Sequence, residues 1–488
     1  MDSRIGKNAA VLTASKIITL LISLISSMLL SRFRSLEEYG TYSQSLTITT
    51  LMSSLFMLGL PNSTNYFLAR AESGEERRHF LAVYYSLSTL LSILIGAVLV
   101  FSVSLWADYF RNPLIQSFVY FLAVLPWTKV IIGSISNVLV VYGKSRLLLL
   151  TNIVNTAVSL IAVLAVQLFG WSFGEYMMIF LLGESAIAIW VYWIVSRLEN
   201  SIHFSLDTNL IKKIFVYSIP LGLAGFVGTI SLELGKLMIG HLFDTEMMAI
   251  YTNAGKELPF TIVAASLTAV LLPQIAKLLK DINYKRIIKL WGDSIEVSFI
   301  FICFFTMVCI VFAPQMISIL YSDKYLPGVN VFRVYSAVML LRVTYFGMVL
   351  SSAGKTKLVL YSSIASMIIN VVLNYLMYLL LGFIGPAVAT FLSILLMQWF
   401  QLYRTKDILH VSMRDIFPWK RLGKIGGVNI ALGIVLFFAM KFANIDTSAK
   451  GNIVAVCIGI AAAGIYAVIF RRKVMSLWRG LNSAEEGY

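Results

Sequence analysis

Six basic residues of this 488-residue chain lie inside long apolar segments, and three acids lie at similar depth. A charge at the centre of a membrane span costs on the order of 3 kcal/mol, so such groups usually face water or a partner. Lys and Arg bind anions, above all phosphate, whereas a carboxylate can hold a cation or a proton. The excess of cations therefore favours an anionic ligand. The basic residues are Lys16, Lys129, Lys236, Lys256, Arg333 and Arg342, and the acids are Glu184, Glu233 and Glu257.

Seven of these nine side chains form the candidate functional site, which leaves out Arg333 and Glu184. Glu233 and Lys236 are three residues apart, on one face of a helix, and can pair. Pro259 follows Lys256 and Glu257 and predicts a kink there. The alternative is a set of structural ion pairs and lysines that extend to the membrane interface. The candidate substrate-binding residues are Lys16, Lys129, Lys236, Lys256 and Arg342, and the candidate ion- or proton-coupling residues are Glu233 and Glu257.

The sequence predicts no catalytic residue, metal site or cofactor. Two segments, Gly143-Lys144-Ser145 and Gly354-Lys355-Thr356, resemble the end of a phosphate-binding loop. That motif needs a glycine five residues earlier, where this chain has Val138 and Val349. The four histidines and three cysteines show no metal-ligand spacing.

The elements that must position the site are membrane spans. The chain is 59% hydrophobic and only 13% charged, against roughly 25% charged in soluble domains. Together with the basic excess, this composition disfavours a soluble enzyme and a nucleic-acid-binding protein and indicates a polytopic membrane protein. Runs of about 20 apolar residues predict fourteen spans, near residues 9–30, 41–62, 81–105, 117–141, 147–168, 174–196, 214–240, 247–272, 292–320, 331–353, 358–380, 383–403, 425–443 and 451–470.

The distribution of Lys and Arg predicts the orientation of these spans. Alternate connections hold 27 basic residues, and the opposite connections hold six. Because cytoplasmic loops carry the excess of Lys and Arg, both termini are predicted to be cytoplasmic. The formal net charge of +15 thus belongs mainly to loops, and the protein is expected to be a multi-pass inner-membrane protein.

Short loop segments recur at a nearly constant offset. VVYGKSRLLLL at 140–150 returns as SSAGKTKLVLY at 351–361. Three further matches join 35–43 to 244–252, 60–62 to 272–274 and 105–108 to 320–323. Such a repeat predicts two parallel six-helix lobes around a central cavity. The expected fold class is all-α, with about fourteen transmembrane helices. The predicted divisions are residues 1–200, residues 201–410 and an appended helix pair with a tail at 411–488.

Three stretches of the chain carry a family resemblance. The segment NAAVLTASKIITLLISLISSMLLSRFRSLEEYGTYSQ resembles the first hairpin of the polysaccharide-transporter, or O-antigen flippase-like, family. Its turn, RSLEEYGTY at 34–42, departs from the family pattern in the position of leucine. The segments YSIPLGLAGFVGTISLELGKLMIGHLF and AGKTKLVLYSSIASMIINVVLNYLMYLLLGFIGPAVAT are similar to the same family. That family belongs to the multidrug/oligosaccharidyl-lipid/polysaccharide (MOP) exporter superfamily.

The resemblance implies a flippase of a bacterial cytoplasmic membrane that moves an undecaprenyl-diphosphate-linked oligosaccharide outward by alternating access. Surface glycans such as O-antigen or capsule would be the product, and membrane lipids, glycosyltransferases and a polysaccharide polymerase the partners. In that family spans 1, 2, 7 and 8 line the cavity, which would include Lys16, Glu233, Lys236 and Lys256.

Two other functions stay open. A multidrug or other small-molecule antiporter of the same superfamily would handle organic cations and use a membrane-embedded acid, whereas span 1 carries Lys16 and no acid. A membrane enzyme acting on the same lipid carrier would need a long external loop with catalytic residues. No connection between predicted spans exceeds about two dozen residues.

Overall fold

The computed structural model describes residues 2–199 and 201–482, with side chains from residue 16 onward except at 478 and 480–482. All regular structure in this part of the chain is helical, with no strand. The helices form two compact units, Met1–Ala249 and Ile250–Tyr488. The chain ends, residue 1 and residues 483–488, lie outside the described residues, and their cytoplasmic location stays a prediction.

The first unit is built on pairs of long helices. In it α1 packs along α8, α4 along α7, α7 along α9, and α2 along α10. A π-helix at Thr64–Leu68 follows α3. The helices of this unit are α1 (Asp2–Phe33), α2 (Leu36–Phe56), α3 (Leu60–Ser63), α4 (Gly74–Phe101), α5 (Val103–Phe110), α6 (Leu114–Ser117), α7 (Val119–Val141), α8 (Ser145–Phe169), α9 (Phe173–Leu198) and α10 (Thr208–Leu242), and α11 (Thr245–Ala254) crosses the boundary between the units.

The second unit is built around α13. That helix packs against α12, α15, α19 and α20, and α17 packs along α18. Short 3₁₀ turns occur at Pro259–Thr261, Asp323–Gly328, Leu340–Arg342 and Gly382–Ile384. The helices are α12 (Ile262–Lys280), α13 (Tyr284–Val311), α14 (Ala313–Tyr321), α15 (Val329–Met339), α16 (Met348–Ser352), α17 (Thr356–Leu381), α18 (Gly385–Leu409), α19 (Trp419–Phe442) and α20 (Ala449–Asn482).

The predicted all-α membrane fold is confirmed. Eleven segments of the described chain are long and apolar enough to cross a membrane. Two of them contain more than one helix: Thr245–Lys280 contains α11 and α12, and Thr356–Leu409 contains α17 and α18. The predicted spans at 41–62 and 331–353 are not among the eleven. The first of these two covers most of α2, which buries Ser, Thr and Gln side chains, and the second is interrupted after α15. The exact number of fourteen spans therefore stays a prediction.

Helix boundaries recur along the chain as the loop matches do. The helices α4 and α13 are both 28 residues long and begin at Gly74 and Tyr284. At nearly the same separation, α8 and α17 begin at Ser145 and Thr356. The helices that follow them, α9 and α18, begin at Phe173 and Gly385. This recurrence supports a duplicated helical lobe. The predicted lobe boundaries at residues 200 and 410 remain expectations.

Two predicted spans of the second unit are interrupted near their middles. Residues 255–258 are non-helical between α11 and the 3₁₀ turn that begins at Pro259, which is the interruption expected from that proline. A second interruption separates α15 from α16 and includes the 3₁₀ turn Leu340–Arg342. This second break contains no proline. In membrane proteins, such irregular backbone is tolerated where it is buried in protein or lines a wet cavity.

Helix α10 packs closely against the turn between α2 and α3 at one glycine, Gly222. Leu58 and Gly59 adopt positive φ values of 46° and 73° between α2 and α3. A Cβ at Gly222 of α10 would lie 2.2 Å from the carbonyl carbon of Leu58, closer than atoms can approach. At Gly225 a Cβ would meet no described atom within 4 Å. Close packing therefore requires glycine at 222 but not at 225.

These two glycines give substitutions of opposite expected sign. Gly222→Ala is expected to lower the free energy of unfolding by about 1–3 kcal/mol, because the new methyl group meets backbone that cannot give way. Gly225→Ala is expected to raise it by roughly 0.5–1 kcal/mol, because alanine restricts the unfolded chain. Denaturation of the purified protein in mixed micelles with increasing dodecyl sulfate measures both. Equal effects of the two substitutions would contradict the tight crossing.

Candidate functional site

The two helix breaks of the second unit meet at an ion pair. Arg342, in the 3₁₀ turn after α15, donates from Nη1 to Oε2 of Glu257 at 2.5 Å. The other carboxylate oxygen of Glu257, Oε1, accepts a 2.8 Å hydrogen bond from Thr261 Oγ1. The side chains of Arg342 and Glu257 are 39% and 45% exposed. A charged pair thus lies on irregular backbone at the centre of two predicted spans. Both of its side chains are partly exposed.

The surroundings of this pair favour negative charge. Lys256 lies half-buried in the same break. The break leads into the N-terminal end of α12, where unpaired backbone N–H groups and the helix dipole attract anions. Arg342 offers a planar fork of donors that matches phosphate as well as carboxylate. The arrangement can therefore exchange the Glu257 carboxylate for an incoming phosphate group.

A second pair occupies the first unit. Lys236 Nζ lies 3.0 Å and 2.9 Å from the two carboxylate oxygens of Glu233 on α10, the i,i+3 pairing expected from the spacing. Thr47 of α2 donates a 3.0 Å hydrogen bond to Glu233 Oε2. The Lys236 side chain is 29% exposed and that of Glu233 is 13% exposed. The pair is thus more enclosed than Arg342 and Glu257, but its ammonium group still reaches the surface of the unit.

Two further predicted cations, Lys129 and Lys16, take no part in these two ion pairs. Lys129 of α7 has Nζ 2.9 Å from Oε2 of Glu184 on α9, an ionic contact rather than an aligned hydrogen bond. Glu184 is buried, with a side chain 3% exposed, so Lys129 serves at least to balance it. Lys16 on α1 is exposed and forms no ion pair with any residue that the structure describes. Three of the five candidate cations are therefore paired with acids inside their own unit.

A larger charged cluster was not predicted as a unit. On α13, Asp293 and Glu296 face Arg421 of α19, at 2.9 Å and 3.2 Å, and Glu296 also contacts Lys473 of α20. The Glu296 side chain is 1% exposed and that of Asp293 is 12% exposed. Their positions near a span end gave no signal of burial, because the partners come from helices far away in the sequence. This cluster fastens α19 and α20 to α13.

Metal-ligand geometry is not found near these charges. Among the residues that the structure describes, no group of three or more His, Cys, Asp or Glu side chains could hold a metal ion. The ion pairs at Glu257 and Glu233 are arranged so that one charged partner can be exchanged for another.

Comparison with solved structures identifies the fold. The inward closed conformation of the lipid II flippase MurJ matches 95% of this chain and 99% of its own, with a TM-score of 0.76 and 17% identity. An inward-facing multidrug resistance MATE family transporter of the MOP superfamily matches 83% of this chain and 99% of its own, with a TM-score of 0.66 and 15% identity. At these identities the likeness concerns the fold.

The fold and its charged breaks define a polytopic membrane protein with the architecture of these solved transporters. The family model described as polysaccharide biosynthesis protein matches residues 29–330. The chain belongs to this family, and the predicted resemblance to a polysaccharide family is confirmed. A relative in Methanocaldococcus jannaschii, the uncharacterized membrane protein MJ1375, is 24% identical over 390 residues, covering 76% of this chain and 91% of its own.

Proposed function

We propose that this transporter is a flippase that moves an undecaprenyl-diphosphate-linked oligosaccharide across a bacterial cytoplasmic membrane by alternating access. Its product supplies a surface polysaccharide such as O-antigen or capsule. It acts between the glycosyltransferases that build the glycan and a polymerase that extends it. Both termini lie in the cytoplasm in this proposal. The observation that carries it is the Arg342–Glu257 pair at two meeting helix breaks.

The pairing of the cations fits a substrate that is bound and released. Glu257 and Glu233 neutralise Arg342 and Lys236, which lowers the cost of placing charge in the membrane. A diphosphate carries more negative charge than a carboxylate and offers more acceptor oxygens, so it can displace the acid from its partner. The displaced carboxylate can then take up a proton or a cation. Substrate binding and ion coupling would thus use the same pair.

The second candidate function is a multidrug or other small-molecule antiporter, and the match to a MATE transporter favours it as the alternative. An organic cation would have to bind a carboxylate directly. Each of the three deep acids, Glu184, Glu233 and Glu257, already contacts a basic side chain. A cation would therefore compete with the lysine or arginine for the carboxylate. An anion could instead bind the lysine or arginine directly.

Equilibrium binding to the purified protein separates the two functions. We expect undecaprenyl diphosphate to bind and the lipophilic cation rhodamine 6G to bind at least about tenfold more weakly, a difference of about 1.4 kcal/mol. Isothermal calorimetry in a neutral detergent measures both, with undecaprenol as the uncharged control. Binding of rhodamine 6G without binding of undecaprenyl diphosphate would favour the antiporter.

A further inference from the structure

The break that contains Arg342 is held on both sides by side chains of neighbouring helices. On one side, Gln398 of α18 donates from Nε2 to the carbonyl oxygen of Leu341 at 2.6 Å. On the other side, Trp291 of α13 donates from Nε1 to Oγ1 of Thr344 at 2.9 Å. The two bonds reach the residue directly before Arg342 and the second residue after it. The backbone at Arg342 is thus tied to two long helices.

The backbone of this segment needs partners that a regular helix would otherwise supply. Helix α15 ends at Met339, and α16 begins only at Met348. Inside a membrane, the polar backbone groups of an interrupted helix cost free energy unless other donors and acceptors pair with them. The amide group of Gln398 is such a donor for Leu341. Gln398 therefore stabilises one particular backbone conformation of the break.

Both donor side chains are enclosed in the second unit. Trp291 is fully buried, and Gln398 is 9% exposed. The second polar atom of Gln398, Oε1, is buried and forms no hydrogen bond within the described part of the chain. An apolar side chain of similar size would avoid the cost of enclosing that oxygen. The bond to Leu341 is therefore the contact that explains glutamine at position 398.

A second glutamine of α18 provides a comparison. Gln401, three residues later, is 3% exposed and donates from Nε2 to Oγ of Ser362 at 2.8 Å. Ser362 lies on α17, which packs along α18. This bond joins two regular helices and not the break. Gln398 and Gln401 thus share their helix, their burial and their type of hydrogen bond but differ in what they hold.

The place of the Arg342 guanidinium depends on the backbone beneath it. The Arg342 side chain is 39% exposed and meets Glu257 at its end, so it is not fixed by close packing. A binding group that is already held in its bound geometry loses less conformational freedom when the ligand arrives, which strengthens binding. Holding the backbone on both sides of Arg342 restricts where its guanidinium can lie.

We propose that Gln398 and Trp291 are positioning residues of the Arg342 site. Through the backbone of the break, they hold the guanidinium where it meets the diphosphate group of the substrate. This inference rests on the proposed function, which supplies the diphosphate. Neither residue touches the substrate in this proposal. Their effect on affinity passes through Arg342 and should therefore disappear when Arg342 is replaced.

Isothermal calorimetry of the full chain with undecaprenyl diphosphate tests the role of Gln398. Gln398→Met keeps the size of the side chain but removes the donor, and we expect it to weaken binding about three- to tenfold. The matched Gln401→Met variant should bind as the wild type does. In an Arg342→Ala background, Gln398→Met should cause no further loss, because the group that it positions is absent.

A conservative pair of substitutions at Thr344 tests the second bond. Thr344→Val keeps the shape but removes the acceptor for Trp291, and it should weaken binding about threefold or more. Thr344→Ser keeps the hydroxyl group and should retain the wild-type affinity. Without ligand, amide hydrogen exchange at residues 343–347, measured by mass spectrometry, should be faster in Gln398→Met and Thr344→Val than in Gln401→Met and Thr344→Ser.

The outcomes separate this proposal from the proposed function. If the wild type binds the diphosphate, three results would overturn the positioning role alone: unchanged affinity in Gln398→Met, an equal loss in Gln401→Met, or a further loss in the Arg342→Ala background. Faster exchange in the break with unchanged affinity would show that the bonds only stabilise the backbone. Absence of diphosphate binding by the folded wild type would contradict the proposed function, and the positioning role with it.

Discussion

Replacing Arg421 and Lys473 together with Gln is expected to lower the free energy of unfolding by about 3–5 kcal/mol, the usual cost of leaving a buried charge without its partner. Both basic side chains are about half exposed, but Glu296 is 1% exposed and Asp293 is 12% exposed. The substitution therefore leaves two enclosed carboxylates with no basic neighbour of comparable contact. Denaturation in mixed micelles with increasing dodecyl sulfate measures the loss.

Two matched variants decide whether charge is the cause. Adding Asp293→Asn and Glu296→Gln to the first variant removes the uncompensated acids and should restore most of the lost stability. The pair Lys420→Gln and Lys424→Gln removes two exposed cations from the same helix and should cost less than about 0.5 kcal/mol. If this second pair cost as much as the substitution at 421 and 473, the cluster would not be what fastens α19 and α20.

Replacing Arg342 or Lys236 with Ala is expected to weaken binding of undecaprenyl diphosphate about 10- to 100-fold. Each change removes a hydrogen bond from a charged donor to phosphate, worth about 1.5–3 kcal/mol, or about one to two powers of ten in affinity. Isothermal calorimetry with undecaprenyl diphosphate measures the change. Substitution of Arg333, outside the candidate set and bonded to the Ile310 carbonyl and to Asn330, provides the control and should leave affinity unchanged.

Replacing the acidic partners is expected to change the affinity for diphosphate in the opposite direction. Glu257→Gln and Glu233→Gln should strengthen diphosphate binding, because Arg342 and Lys236 no longer have to leave a charged partner. The same variants should lose any dependence of transport on an imposed proton gradient. Weaker binding in the Gln variants would show that the carboxylates are needed for the site and do not compete with the substrate.

Local features of the fold could be predicted from the sequence because they depend on nearby residues. Long apolar runs gave the helices, Pro259 marked the break at 255–258, and the spacing of Glu233 and Lys236 gave their ion pair. The loop matches indicated the repeat for the same reason, since each match compares short segments. These features need no knowledge of which helices pack together.

Contacts between distant helices could not be predicted in this way. Lys129 and Glu184 lie on different helices, α7 and α9, and Asp293 of α13 meets Arg421 of α19. The break at Arg342 has no proline, so its irregular backbone left no local mark. For these reasons the sequence predicted the excess of deep cations, but not which acids three of the six cations would contact within their own unit.

Transport of the lipid-linked substrate by the reconstituted protein tests the proposed function most directly. Vesicles with an undecaprenyl-diphosphate-linked oligosaccharide on one leaflet are assayed for glycan that becomes accessible to an external lectin. We predict that the wild type moves the glycan lipid, and that the Arg342→Ala variant slows this movement at least about tenfold. Absence of transport by the folded wild type, or equal rates in the wild type and the variant, would contradict the account.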